Sequence, residues 1–565
     1  MARPAPAPVP PLSTADRWGV ALALYGAFMA GLGLRVWNLR GQILGGDELH
    51  SVRAAVARPL SEILTTYALN DYSIPLTALF RFLLEHGVTL SELSFRLPAL
   101  LCGLLALILI PRSLLGKMDR GTVELFAFLI ALSPGLVLYS RIARSYMPMV
   151  LASFLAVMAF EAWWRTRAWK PGAAYLLLGG LAVWLHLGAG PIVASPFLFA
   201  AGDLLRDRHR FLRRGAALTG MGLALAGTFA LFLVPARESL LRLIASKHRE
   251  PSVPFGTVGD VLRLQAGTPS ITVTVLFWIA ALGGLALLLR DRPRIALLSV
   301  LAAAGQVVGI AILSPAAMGN PLVLNRYLLP ALPWVLLWVA HALSLPFRLP
   351  LERGAGCAGR MAQRMAARFV VLLLFWTGPF LSPGFRTSSF MHHNDFVAFQ
   401  EPRSTLPDAA VPALYRRLPR GPVVEYPWTT VWRFNRSFYI YQRIHGRRVM
   451  VSAPFDLPRD PRIAFRNEVP PDSRALLASP ARTLIVHLRP GWEEDRVVAP
   501  GRPPDRGMRP DLRRRYRRAG ERLAERLTRE WGPPDYADAT VRSWDLERLR
   551  RAGAAAPPSG TFGSP

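Results

Sequence analysis

The chain predicts a polytopic α-helical membrane protein with a small extracytoplasmic α/β domain at its C-terminal end. Three observations predict it. Hydrophobic residues fill 52% of the 565 positions at a mean hydropathy of +0.27, and they fall in long runs. Basic residues punctuate those runs in every second loop. Past residue 385 the long runs stop, and short β-rich segments alternate with helical ones.

A helix that spans a bilayer needs roughly 20 apolar residues. Runs meeting or approaching that length lie near 18–37, 94–115, 122–140, 146–164, 172–187, 189–205, 216–235, 271–289, 295–314, 327–346 and 369–384. Together they give about eleven spans, of which the two flanking Gly188 are short. Residues 1–17 are Pro-Ala-rich and lack the short apolar core and small-residue cleavage pattern of a removed signal. The first run is therefore expected to remain as an anchor behind a cytoplasmic tail.

Orientation follows from the loops. Arg112, Lys117 and Arg120; Arg165, Arg167 and Lys170; Arg206 to Arg214; Arg290, Arg292 and Arg294; and Arg348 to Arg368 occupy alternate connections. The positive-inside rule makes those loops cytoplasmic, puts the N-terminus inside and places everything beyond the eleventh span outside. The formal charge of +30 is almost wholly arginine, with only Lys117, Lys170 and Lys247 as lysines. Charge distributed this way is a topology signal and argues against a nucleic-acid groove. Cys102 lies inside an apolar run and Cys357 in a basic loop, so neither a disulfide framework nor a metal site is signalled. The Arg-Ala-Pro-Gly bias is that of a GC-rich bacterial genome, which points to the bacterial cytoplasmic (inner) membrane.

Three outer segments remain. The first, 38–93, opens with Gly45-Gly46-Asp47-Glu48, and charged groups at the bilayer edge are usually functional. Val52, Val56, Leu60, Ile63, Leu64 and Tyr67 then predict one amphipathic helix along the membrane surface, with a second helix after Pro75. The second segment, 236–270, is basic and carries Lys247 and Arg249. The third, 385–551, has strand-like runs at 423–426, 448–451, 483–487 and 539–547 with helices between them, the pattern of a small α/β domain. Its stretch 512–531 reads as a basic helix with Leu512, Tyr516, Leu523, Leu527 and Trp531 on one face. That face either covers the sheet or leaves the arginines free for anionic headgroups. Residues 552–565 are expected to be disordered.

Several segments, in order, carry a family likeness. Asp47-Glu48 is followed by Asn70-Asp71-Tyr72-Ser73-Ile74-Pro75-Leu76, then by Phe95-Arg96-Leu97-Pro98 opening the second span. Ser133-Pro134 and Tyr139-Ser140-Arg141-Ile142-Ala143-Arg144-Ser145-Tyr146 lie between the third and fourth spans, and Asn325-Arg326-Tyr327-Leu328-Leu329-Pro330 opens the tenth. This resembles the GT-C membrane glycosyltransferases, specifically the protein O-mannosyltransferase and lipid A aminoarabinose transferase superfamily. The resemblance implies a GT-C fold and inverting transfer of a sugar from a polyprenyl-phosphate carrier at the outer membrane face. The acceptor would be an envelope lipid, polysaccharide or protein. Two departures stand out: Ser73-Ile74-Pro75 replaces the His-Pro-Pro or Gln-Pro-Pro of relatives, and Arg141-Ile142 replaces their Gln-Glu. Acceptor or metal contacts tied to those residues do not carry over.

Inverting transfer needs a base for the acceptor proton and positive charge on the departing phosphate. Asp47 matches the family's catalytic position. Glu48 is expected either to touch the acceptor, to orient Asp47, or to stand solvated beside it. Arg144, Arg326, Lys247 and Arg249 are candidate phosphate ligands because each lies where an outer loop meets a span, with snorkelling to headgroups as the alternative. Asn70, Asp71, Tyr146 and His186 are candidates for sugar or acceptor contact, His186 also being read as a packing residue. A divalent ion shared by Asp47 and Asp71 is the alternative that no ligand spacing demands. Two other functions compete: a flippase for a lipid-linked saccharide, and a non-catalytic anchor for the C-terminal domain. The scarcity of mid-span charge and of internal repeats weighs against the flippase.

Overall fold

Long apolar segments become helices because backbone without water must close its hydrogen bonds within the segment. The computed structural model describes residues 14–37, 39, 48, 51, 54–55, 58–67, 73–88, 90, 92–206, 211–247, 253–268, 270–315, 318–345, 369, 413–426, 449–451, 473–488 and 510–553. The helices of the apolar part are α1 (Thr14–Val36), α2 (Leu60–Thr65), α3 (Ile74–Glu85), α4 (Glu92–Arg112), α5 (Arg120–Leu132), α6 (Pro134–Tyr139), α7 (Tyr146–Thr166) and α8 (Trp169–Leu185). A 3-10 turn at Leu187–Ala189 leads to α9 (Gly190–Arg206), α10 (Phe211–Leu233), α11 (Arg237–Lys247), α12 (Phe255–Ala266), α13 (Ile271–Asp291) and α14 (Pro293–Leu313). Then α15 (Pro321–Leu328) passes through a 3-10 turn into α16 (Leu332–Leu343).

Seven helical stretches among the described residues are long and apolar enough to cross a membrane: Leu93–Arg112, Tyr146–Thr166, Leu187–Arg206, Phe211–Leu233, Ile271–Asp291, Pro293–Leu313 and Pro321–Leu343. Three of the expected runs are shorter. The apolar part of α1 is Ala21–Val36, and α8 has 17 residues. The run 122–140 is two helices, because Pro134 cannot donate an N–H and Ser133 turns to an extended ψ of 117°. Of the run 369–384 only Phe369 is described, and the domain boundary at 385 and Cys357 lie outside the described residues.

The single surface helix expected over 52–67 is also corrected. Pro59 separates Leu60–Thr65 from the helical positions Glu48, Ser51, Ala54 and Ala55. Leu64 is exposed while Ile63 and Tyr67 are buried. The second helix starts at Ile74, with Pro75 in its first turn.

The bundle packs around α7 and α16. Trp334 is fully buried and stacks on Phe154 at 4.3 Å, and the indole of Trp338 donates to Ser299 Oγ at 2.8 Å. Leu177, Leu198, Leu223, Leu231, Ile279 and Leu282 stand exposed on the outside, as lipid-facing positions do. The loops assigned to the inside meet at one end. Lys117 pairs with Glu161 at 3.3 Å, Arg294 with Asp203 at 3.5 Å, and Asp291 with His341 at 3.4 Å. Arg167 lies 3.8 Å over the Trp164 ring.

The C-terminal part contains a five-stranded sheet of order β2-β1-β3-β5-β4. Here β1 is Val423–Tyr426, β2 Val449–Val451, β3 Thr483–His487, β4 Tyr536–Ala537 and β5 Val541–Asp545. The first three are parallel, and β5 runs antiparallel to β3 and β4. Strands thus occur at all four expected positions, with β4 added. The helix Pro510–Trp531 covers one face, burying Leu523, Leu527 and Trp531 against Leu484, Val486 and Trp544.

Close approach of α13 and α16 requires Gly284, where a Cβ would come within 1.8 Å of the Trp338 carbonyl oxygen. Overpacking typically costs about 1–3 kcal/mol. Gly284→Ala should therefore lower the melting temperature of the detergent-solubilised protein. Gly283→Ala, where nothing lies within 4 Å, should leave or raise it. Equal melting temperatures for the two variants would contradict this contact.

Candidate functional site

At the end opposite those inner-loop pairs, the chain breaks its helices repeatedly, and each break is held by a long polar side chain. The segment Ser140–Ser145 between α6 and α7 is the first. Arg35, near the end of α1, donates through Nε to Ser140 Oγ at 3.1 Å and through Nη1 to the Ala131 carbonyl at 2.9 Å. The latter is one of the carbonyls left over where α5 stops before Ser133. Arg141 returns the contact. Its Nη1 donates to the carbonyls of Leu34 and Arg35, both at 2.9 Å, and so closes the end of α1. Both guanidiniums are buried, and Gly103 leaves room for Ser140, whose Oγ would lie 2.2 Å from a Cβ there.

Glu48 is the second anchor. It is buried, and its two carboxylate oxygens accept from Arg96 Nε and Nη2 at 2.9 Å each. Oε1 also accepts the backbone N–H of Ala143 at 2.8 Å. Arg96 Nη1 reaches the Leu39 carbonyl at 3.3 Å. One ion pair thus joins the first outer segment, the start of α4 and the 140–145 segment. The solvated reading of Glu48 is corrected, since the fork of Arg96 draws the carboxylate inward. Asp47, Asn70, Asp71 and Arg249 lie outside the described residues, and for Lys247 only the backbone, at the end of α11, is described.

The third feature is an aromatic–cationic stack. The Tyr146 ring opens α7, with Arg144 at 5.8 Å and Arg326 at 5.6 Å from its centroid. Arg326 Nη1 donates to the Tyr146 hydroxyl at 3.2 Å. His186 lies 5.6 Å from Tyr146 and 5.6 Å from Tyr327, ring to ring. It sits at the C-terminal cap of α8, where the backbone is extended, and its Nδ1 accepts the Gly188 N–H at 3.1 Å. Because Nδ1 accepts that N–H, a neutral ring carries its proton on Nε2.

His186 and Tyr327 also line a cavity of about 380 Å³, otherwise apolar, whose walls include Leu240, Leu243, Ile310 and Leu313. The structure therefore brings Arg144, Tyr146, His186 and Arg326 together beside an apolar chamber. Sequence reading missed Arg35, Arg96, Arg141 and Gln306. Each is a polar group within or against an apolar run, where such groups are costly, but the run does not show what the group holds. Among the described residues, no three His, Cys, Asp or Glu side chains stand where they could hold a metal ion.

No family model and no curated protein sequence matches the chain. Solved structures do. ArnT from Cupriavidus metallidurans in the apo state matches with a TM-score of 0.42 and 14% identity, covering 96% of this chain and 100% of that one. The same protein bound to undecaprenyl phosphate matches with a TM-score of 0.40 and 13% identity, covering 84% and 93%. The Archaeoglobus fulgidus oligosaccharyltransferase in complex with Zn and sulfate matches with a TM-score of 0.42 and 14% identity, covering 82% and 68%. At this level of likeness no residue role is transferred from them, and the site is read from its own geometry.

Removing one partner of a buried ion pair costs about 3–5 kcal/mol, because the other charge is left in low dielectric. Glu48→Ala and Arg96→Ala should each lower thermal stability markedly, and the double variant should lose much less than the sum. Additive losses in a double-mutant cycle would show that the two side chains do not act as a pair.

Proposed function

We propose that this chain is an inverting glycosyltransferase that moves a sugar from a polyprenyl-phosphate carrier to an envelope acceptor at the outer face of the bacterial cytoplasmic membrane. The observation that carries the reading is the placement of Arg144 and Arg326 at 5.8 and 5.6 Å from the Tyr146 ring centroid, next to an apolar cavity lined by His186 and Tyr327. Such a site suits a ligand with an anionic head and a long apolar tail. Two guanidinium forks match a phosphate's oxygens, and the chamber takes isoprenoid chain. Lys247 and Arg249, at the end of α11 and just past it in the chain, are assigned a supporting electrostatic part.

In the proposed reaction Asp47 accepts the proton of the acceptor hydroxyl or amine as that atom attacks the anomeric carbon. The new glycosidic bond forms while the bond from the anomeric carbon to the phosphate oxygen breaks. Its electron pair leaves on the phosphate, where Arg144 and Arg326 offset the growing charge. A phosphate leaves without a strong acid, so one carboxylate and a cationic clamp suffice. His186 Nε2–H is the donor placed to orient the sugar or phosphate. Glu48 is a positioning residue, since both its oxygens are committed to Arg96 and Ala143. Asn70 and Asp71 are proposed to meet sugar or acceptor, the latter with a divalent ion shared with Asp47 as the alternative. The C-terminal sheet is proposed to present the acceptor.

Turnover of labelled polyprenyl-phosphate sugar by the purified protein tests the activity directly. Loss of a general base usually costs about 10²–10⁴ in rate. Asp47→Asn should fall by that order with donor affinity held, and near-normal turnover in folded protein would remove Asp47 as the base.

A charge-assisted hydrogen bond is worth about 1.5–3 kcal/mol. Arg326→Ala should therefore weaken donor use roughly tenfold or more, and unchanged kinetics at limiting donor would reduce Arg326 to a headgroup anchor.

A further inference from the structure

One buried polar side chain near the site is used by none of the steps above. Gln306 sits in α14, a membrane-crossing helix, and is fully buried. Its hydrogen-bonding groups reach three other segments. Nε2 donates to the Gly188 carbonyl at 2.8 Å and to the Tyr327 carbonyl at 2.6 Å, and Oε1 accepts the Ile192 N–H at 3.2 Å. The two N–H groups and the carbonyl are thus all engaged, which fixes the amide's orientation. Ile192 belongs to the first turn of α9, where N–H groups have no partner within the helix, so Gln306 acts as a cap supplied from another helix.

The partners are more telling than the count. Gly188 is the residue whose N–H orients the His186 ring, and Gln306 holds the same residue by its carbonyl. Tyr327 adjoins Arg326 in the chain, lines the same cavity as His186 and lies edge-on to its ring at 5.6 Å. One amide therefore ties the His186 turn to the Arg326 segment. A polar amide is costly in an apolar helix, and simple packing there would be served by leucine or methionine.

We infer that Gln306 is a positioning residue: it sets the spacing between His186 and Arg326, and through it the fit of the carrier's phosphate and first isoprene units. This inference rests on the polyprenyl-phosphate reading of the same site. Gly188 offers a second handle on that spacing. A Cβ there would meet His186 Nδ1 at 2.9 Å and Tyr327 Cδ1 at 3.2 Å, crowding both rings at once.

The test is undecaprenyl phosphate binding and steady-state turnover with wild type, Gln306→Met and Gly188→Ala, purified in full-length form. Both variants should raise the Kd for undecaprenyl phosphate about tenfold, a loss of one charge-assisted contact's worth. KM for donor should rise with it, while KM for acceptor stays at the wild-type value. A merely structural role would lower the melting temperature and leave that split between donor and acceptor unmoved. Should Gln306→Met fail to fold, Gly188→Ala decides alone. Wild-type Kd in a folded variant overturns the role of Gln306. Absence of undecaprenyl phosphate binding by the wild type instead overturns the donor reading, so the two failures are distinct.

Discussion

A carbonyl or N–H released from a helix inside an apolar bundle must find a partner, and in this chain guanidinium groups supply it. Arg35 reaches the carbonyl that α5 leaves over at Ala131, and Arg141 reaches those at the end of α1. Without them the break at Ser133-Pro134 and the segment after Tyr139 would bury unsatisfied backbone, at several kcal/mol for each group. The breaks are what make the end of the bundle useful, because an unbroken helix would carry its side chains past the membrane surface with no concave surface between them. The cost of holding irregular backbone in place is met by arginines that take no part in chemistry.

The same logic repeats around the cavity. His186 stands where α8 ends and Leu187–Ala189 tightens into a 3-10 turn, and Gln306 takes up the polar groups that this change of direction exposes. The 3-10 turn Leu329–Ala331 follows Arg326 and Tyr327 in the same way. At the opposite end, the helices are joined instead by direct pairs such as Lys117 with Glu161 and Arg294 with Asp203. One end is thus tied by ion pairs between helices, while at the other the Glu48–Arg96 pair is joined by many side-chain bonds to irregular backbone. The proposed site for an amphiphilic carrier lies at the second.

Much of this was legible in the sequence, and the failures have a common cause. Hydropathy finds helices because apolar length is a property of one segment, and the loop charges that sort the two ends are local too. Arg144, Arg326 and His186 could be marked because each stands at the edge of an apolar run. Glu48 could not be resolved, since its burial depends on Arg96, 48 positions away, and on the Ala143 N–H, 95 positions away. Arg35 and Gln306 were invisible for the same reason: each was one polar letter in an apolar run, and only three-dimensional contact shows what it holds. The broken third span and the split first surface helix are different misses. Pro134 and Pro59 were in view, but the apolar periodicity was allowed to override them.

The pair Glu48–Ala143 has one more consequence for the proposed chemistry. Inversion requires the attacking atom and the departing phosphate on opposite sides of the anomeric carbon, so the base and the phosphate clamp must keep a fixed separation. Asp47 is bonded to Glu48, and Arg144 is bonded to Ala143. The 2.8 Å hydrogen bond from Ala143 N–H to Glu48 therefore links base and clamp through a bridge of two peptide units and one carboxylate. Arg96 stiffens the bridge by gripping both oxygens of that carboxylate from α4. In the proposed mechanism the acidic pair therefore has two different duties: Asp47 serves as the base, and Glu48 ties the segment that carries it to the loop that carries Arg144.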